Sequence, residues 1–293
     1  MREVHRRHVL LALGGCGLLA TSTRDALAAS PRARRIVSIG GALTEIIYAL
    51  GAQQELVGVD TTSLFPAAAT SLPSVGYARA LSSEGILSLT PSLVVSTEDA
   101  GPPAVLKQVS QAGVSVVTLA AHHRFEGMLG RVEQMGRLVG RETAATRLRA
   151  GLLTDWQATE RAVAARKGAP PKVLFVLSNS PAQIMVGGQD TTADAMIRYA
   201  GARNAVQGIQ GYKPLSTESL IAAQPDVILF TDQGLEALGG LEAGLKIPGV
   251  LQTPAGRQRR VLSMETMFLL GFGPRMPGAV ATLNRALSKV AAS

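Results

Sequence analysis

The sequence predicts an α/β protein of two lobes with parallel sheets, joined by a single long helix. Three observations predict it. Short apolar, β-branched runs alternate with helical patterns between residues 35 and 119, as strands buried on both faces of a parallel sheet do. The alternation stops over 125–167, a stretch without proline, and resumes from Lys172. A chain of 293 residues that is 46% hydrophobic also holds enough apolar material for two medium domains.

The elements follow in order. RIVSIG (35–40) reads as a strand, 41–50 as a helix ended by Gly51, and LVGVD (56–60) as a second strand. A short helix over 83–89 closes at Thr90-Pro91, before a third strand, SLVVS (92–96). Helix 103–112 stops at Gly113, and VSVVTL (114–119) is a fourth strand. Residues 125–139 and 142–167 then read as two helices separated by Gly140. The second would be roughly 39 Å long at 1.5 Å per residue, which is enough to span between domains. Gly168-Ala169-Pro170-Pro171 ends it, since proline cannot continue a helix. Beyond it come strand KVLFVL (172–177), helices 192–200 and 216–223, strands DVILF (226–230) and RVLSM (260–264), and a closing helix over 277–291. Each half is thus Rossmann-like. The expected organisation is a signal peptide over 1–28, a first lobe over 29–140, the joining helix over 141–168 and a second lobe over 169–293. A ligand cleft is expected between the lobes.

The amino terminus reads as an export signal. A basic stretch with Arg2, Arg6 and Arg7 precedes the apolar run VLLALGGCGLLA, and Ala26-Leu27-Ala28 supplies small residues for cleavage after Ala28. The Arg6-Arg7 pair is compatible with twin-arginine as well as ordinary secretory export. Leu13-Gly14-Gly15-Cys16 loosely resembles a lipoprotein site, but the apolar run continues past it, so an unmodified Cys16 inside the signal is favoured. Cleavage would remove the chain's one cysteine, which excludes disulfides, thiolate metal sites and cysteine nucleophiles from the mature protein. The net charge of +8 would become +6, because Arg2, Arg6, Arg7 and Arg24 leave with Glu3 and Asp25. Basic residues are scattered and aromatics are 4% of the chain, which argues against nucleic acid.

Ligands of open parallel sheets collect beyond the carboxyl ends of the strands. Here those loops are 41–44, 61–66, 98–103 and 120–125 in the first half. In the second half they are 187–192, 210–214, 232–240 and 266–274. Two features stand out. Tyr77 and Arg79 lie two apart in an extended loop before a helix, so both point to one side. A cation beside a phenol favours the anionic form, a hard donor suited to ferric iron. The alternative is an amphipathic loop tyrosine with Arg79 paired to a carboxylate. The second feature is VGGQDTTAD (186–194), whose amides could face an anion. An ordinary N-cap by Thr191 or Thr192 explains it locally. His122 and His123 are adjacent, so they cannot readily share one metal, and three-histidine zinc is excluded. Nucleotide-binding glycine motifs and GxSxG are absent, and an enzyme is not expected.

Several segments together resemble the haem-binding periplasmic proteins of bacterial haem (hemin) ABC importers. They are SIGGALTEIIYALGA, LVGVDTTSLFPAA and VGYARALSSEGILSL in the first half. In the second half they are GGQDTTADAMIRYAGARNA, GYKPLSTESL, LGGLEAGLKIPGVLQTPAG and FLLGFGPRMPGA. The resemblance covers nearly all of the chain after the signal. It implies the cobalamin-binding-protein-like fold, ferric haem as transported ligand, Tyr77 as axial ligand to the haem iron and Arg79 as its hydrogen-bonding partner. It implies five-coordinate, high-spin haem between the lobes, a monomer in the periplasm, and an inner-membrane ABC permease and ATPase as partners. Thr61, Thr62, Tyr212, Gln233, His122 and His123 are the candidate further cleft contacts. Gln233 stands in TDQGLEALGG where some members of the family place an arginine. Glu84 and Glu218, each early in a short helix, match acidic residues that dock on the permease; the local alternative is an acid favoured by the dipole of a first helical turn. A siderophore- or corrinoid-binding protein of the same fold is the alternative.

Overall fold

The computed structural model describes residues 34–177 and 184–292. The signal segment, Cys16 and the cleavage site at Ala28 lie outside the described residues.

The first lobe is a four-stranded parallel sheet of order β2-β1-β3-β4: β1 (Ile36–Ile39), β2 (Leu56–Val59), β3 (Leu93–Ser96) and β4 (Ser115–Thr118). Helices α1 (Gly41–Ala49), α2 (Ser83–Leu87) and α3 (Pro103–Gln111) connect the strands. β1 and β3 are buried on both faces, which is why their sequences are continuously apolar rather than alternating. The layers rest on two clusters, one of them built on Ile36, Leu43, Ile46 and Val95, the other on Val37, Ile39, Ile86 and Val94.

α4 (Phe125–Val139) ends on Gly140 in the left-handed region, φ 63°, a conformation that glycine adopts without steric cost. α5 (Glu142–Ala164) follows. Its 23 residues make a rod of about 34 Å, one turn short of the expected length. Arg166, just beyond it, turns back to bond the Gly201 carbonyl. On α5, Trp156 stacks on Phe125 of α4 (centroids 4.3 Å apart, 10° between planes) and meets Tyr199 edge-on at 4.9 Å. That aromatic trio ties the helix to both halves of the chain.

The second lobe departs from an all-parallel sheet. Its parallel centre, β10-β9-β5, is made of β5 (Lys172–Val176), β9 (Val227–Thr231) and β10 (Val261–Met264). β6 (Met185–Gly187) and β8 (Tyr212–Pro214) extend it antiparallel, and β7 (Arg203–Asn204) pairs parallel with β5. These strands are two or three residues long, too short to carry a readable alternation. Helices α6 (Thr192–Tyr199) and α7 (Thr217–Ala223) match expectation. Two segments expected as loops instead contain helices, α8 (Asp232–Leu238) and α11 (Thr266–Leu270). Each starts on a side-chain cap: Thr231 accepts from the Gly234 amide at 3.0 Å, and Glu265 accepts from Met267 and Phe268 at 2.6 and 2.8 Å. Between them lie α9 (Leu241–Leu245) and α10 (Pro254–Arg257), and α12 (Met276–Ala292) packs back on α5.

Candidate functional site

The loops beyond the strand ends gather the candidate residues. Thr61 donates to the Gly76 carbonyl at 3.0 Å, so the loop after β2 lies against the loop that carries Tyr77. A buried carboxylate, Asp60, folds the first of these. It accepts from the Gly40 amide, the Ser63 hydroxyl, and both the amide and hydroxyl of Thr62 (2.9, 2.9, 3.0 and 2.6 Å). Thr62 is therefore committed to its own turn, and its oxygen also accepts from the Gly41 amide at 2.9 Å. Thr61 is exposed.

Tyr77 is 44% exposed. Its phenol oxygen accepts from Arg79 Nη1 at 2.8 Å. The other Arg79 nitrogen bonds Asp99, which is itself fixed by the Thr97 hydroxyl at 2.7 Å. Burial works to raise the Asp99 carboxyl, but Thr97 and Arg79 outweigh it and hold it below the ordinary carboxylate range. One edge of the Arg79 guanidinium thus meets the phenol and the other a carboxylate. Asp99 was missed by motif reading. Its signal was its place in the loop after β3.

From the second lobe, the Tyr212 hydroxyl lies 2.8 Å from that of Thr192. Burial raises the Tyr212 phenol above its ordinary value, opposed by its hydrogen bonds and by the charge of Arg79. Gln233, in the first turn of α8, accepts from the amide and hydroxyl of Thr266, so its carbonyl is already used. Thr191 caps α6, accepting from the Asp194 amide at 3.1 Å; the local explanation of the VGGQDTTAD stretch is the observed one.

His122 and His123 form a turn with φ of 49° and 51°, strained for non-glycine residues. With Arg124 they line a cavity of about 390 Å³ whose other wall is Asp190, Thr191 and Arg198. Glu98 holds the turn, accepting from the amides of Ala121 and His122 at 3.0 and 3.2 Å. It also pairs with Arg131, whose side chain is only 4% exposed. Burial works against the Glu98 carboxylate, yet Arg131 and those amides hold it below its ordinary range. No group of three or more histidines, cysteines or carboxylates arranged for a metal occurs among the described residues. Glu84 and Glu218 are exposed in the first turns of α2 and α7. Hydrogen bonds from its own backbone amide and from Ser216 lower the Glu218 carboxyl.

A family model described as periplasmic binding protein matches residues 36–266. The chain belongs to the periplasmic binding protein family. The periplasmic heme-binding protein BhuT, solved in complex with two hemes, is 51% identical, with a TM-score of 0.84 over 88% of this chain and 98% of that one. The periplasmic heme-binding protein RhuT from Roseiflexus sp. RS-1, in apo form, is 42% identical, with a TM-score of 0.85 over 88% and 99%. Among curated relatives, an ABC transporter substrate-binding lipoprotein, YvrC of Bacillus subtilis (strain 168), is 28% identical over 87% of this chain and 80% of its own length. The vitamin B12-binding protein of Vibrio campbellii (strain ATCC BAA-1116) is 26% identical over 73% and 76%. The family consists of substrate-binding transport proteins, and no described helix is long and apolar enough to cross a membrane.

Proposed function

We propose that this chain is a periplasmic substrate-binding protein that captures ferric haem and delivers it to an inner-membrane ABC permease. The observation that carries the reading is the Tyr77–Arg79–Asp99 chain of hydrogen bonds on the loops beyond the strand ends. A tyrosinate is a known protein ligand of ferric haem, and a guanidinium donating to the phenol oxygen favours the anion that ligates. Asp99 keeps Arg79 aimed. The likeness to heme-binding proteins at 51% and 42% identity, against 26% for a B12-binding one, supports haem over a corrinoid.

In this reading Tyr77 is the iron ligand and Arg79 its partner. Tyr212, Thr61, His122 and His123 face the ligand as contacts, with Thr62 shaping their loop. Gln233, already bonded to Thr266, brings no charge to the opposite face. Capture involves no bond-making in the macrocycle, so the chain acts as a carrier rather than an enzyme. Glu84 and Glu218 dock the loaded protein on permease cations. The carrier is a monomer, exported with cleavage after Ala28 rather than acylated at Cys16.

Titration of purified protein with hemin tests this. The expected outcome is a spectrum of high-spin ferric haem with a tyrosinate charge-transfer band, lost in Tyr77→Ala. An unchanged spectrum in that variant overturns the site. Failure to bind hemin with retention of cobalamin or a ferric siderophore overturns the ligand.

A further inference from the structure

Six large apolar side chains stand out as exposed among the described residues, and Leu64, Phe65 and Tyr77 are three of them. All three lie on the neighbouring loops that follow β2. Large apolar side chains exposed on neighbouring loops offer a surface to an apolar partner.

Phe65 is 46% exposed, yet its ring is held. The Arg275 guanidinium lies 4.1 Å from its centroid, and the same guanidinium is 5.2 Å from the Phe268 ring. Arg275 in turn is anchored by Glu45, with Nε donating to Oε2 at 3.0 Å and Nη2 to the other oxygen. Glu265 adds a second carboxylate at 3.3 Å. Glu45 is a nearly buried residue of α1 in the first lobe, whereas Glu265, Phe268 and Arg275 belong to the second. A planar cation fixed from both lobes therefore backs the ring of a residue that is still half exposed.

We propose that Phe65 is a stacking platform for the flat macrocycle, and that Arg275 is a positioning residue that sets the plane of that platform. An aromatic side chain free to rotate would lose conformational entropy on stacking. One already pinned by a cation–π contact has given that freedom up beforehand. Arginine suits the task better than lysine because its guanidinium is flat and can meet Glu45 and the ring together. The inference rests on the haem reading and adds a contact that does not involve the iron.

Hemin and iron-free protoporphyrin IX are each titrated into the full-length protein and its variants. Phe65→Ala is expected to weaken both porphyrins about tenfold, and Phe65→Tyr to restore binding. Tyr77→Ala, by contrast, should weaken hemin far more than the iron-free ring. Arg275→Lys should weaken both porphyrins, but add nothing further in the Phe65→Ala background. A purely structural Arg275 would weaken binding equally in both backgrounds, and that result overturns its positioning role. Wild-type affinity in Phe65→Ala and in the apolar, non-aromatic Phe65→Leu overturns the platform while leaving the haem reading intact. Failure of the unaltered protein to bind hemin overturns the haem reading itself.

Discussion

The substitution Glu98→Gln separates the charge of this side chain from its shape. The new amide would keep an oxygen for the Ala121 and His122 amides, but Arg131 would lose its only carboxylate contact among those described. The guanidinium, 4% exposed, would retain only the Leu119 and Phe272 carbonyls, at 2.8 and 3.4 Å. Stranding a fully buried charge costs about 3–5 kcal/mol. Glu98 is 32% exposed on its side chain, so water already screens part of the attraction, and about 2–3 kcal/mol is expected. For a chain of this size that lowers Tm by roughly 5–10 °C. Because the Glu98 carboxyl sits below its ordinary range in the fold, its stabilisation is complete above the unfolded value of about 4.3 and disappears as pH falls through the folded value. Calorimetric melts of both proteins across a pH series check this, with the gap wide at neutral pH and closed in strong acid. A variant that melts within about 1 °C of the unaltered protein at neutral pH, or a gap that persists in acid, refutes the reasoning.

Asp99→Asn frees one edge of Arg79, and since the pair is half exposed hemin affinity should fall only about two- to fivefold by Soret titration. Gly127→Ala would drive a methyl into the Ala121 carbonyl. Such overpacking costs about 1–3 kcal/mol, read as a lower Tm without loss of the Tyr77 charge-transfer band. Charge reversal of both Glu84 and Glu218, exposed on α2 and α7, should abolish haem-dependent growth while hemin titrations remain unchanged; lost hemin binding would sink the docking role.

Most of the regular structure was legible from residue order. β-branched runs such as LVVS and VILF became buried parallel strands, and the helix over 125–139 has the bounds its pattern implied. Tyr77 and Arg79 were readable as a pair from their spacing, but the expected extended chain is instead a turn, in which the Ala80 amide donates to the Tyr77 carbonyl at 2.8 Å, and the Arg79–phenol hydrogen bond forms across that turn. The short strands β6, β7 and β8 were not legible, because two or three residues carry no period and only the neighbouring strand defines them.

Residue order alone was thus enough for the two-lobed α/β plan and the long α5, which arise from propensity and spacing along the chain, whereas the turn that sets Tyr77 against Arg79 was not read from it. Which carboxylate each buried or half-buried arginine would meet came instead from the packed fold. Asp99 reaches Arg79 because β3 and β2 flank β1 and end at the same edge of the sheet. Glu98 finds Arg131 33 positions away, and Glu45 finds Arg275 across 230. A charge leaving water needs an opposite charge wherever the fold supplies one, and strand order and helix packing, not local pattern, determine where that is.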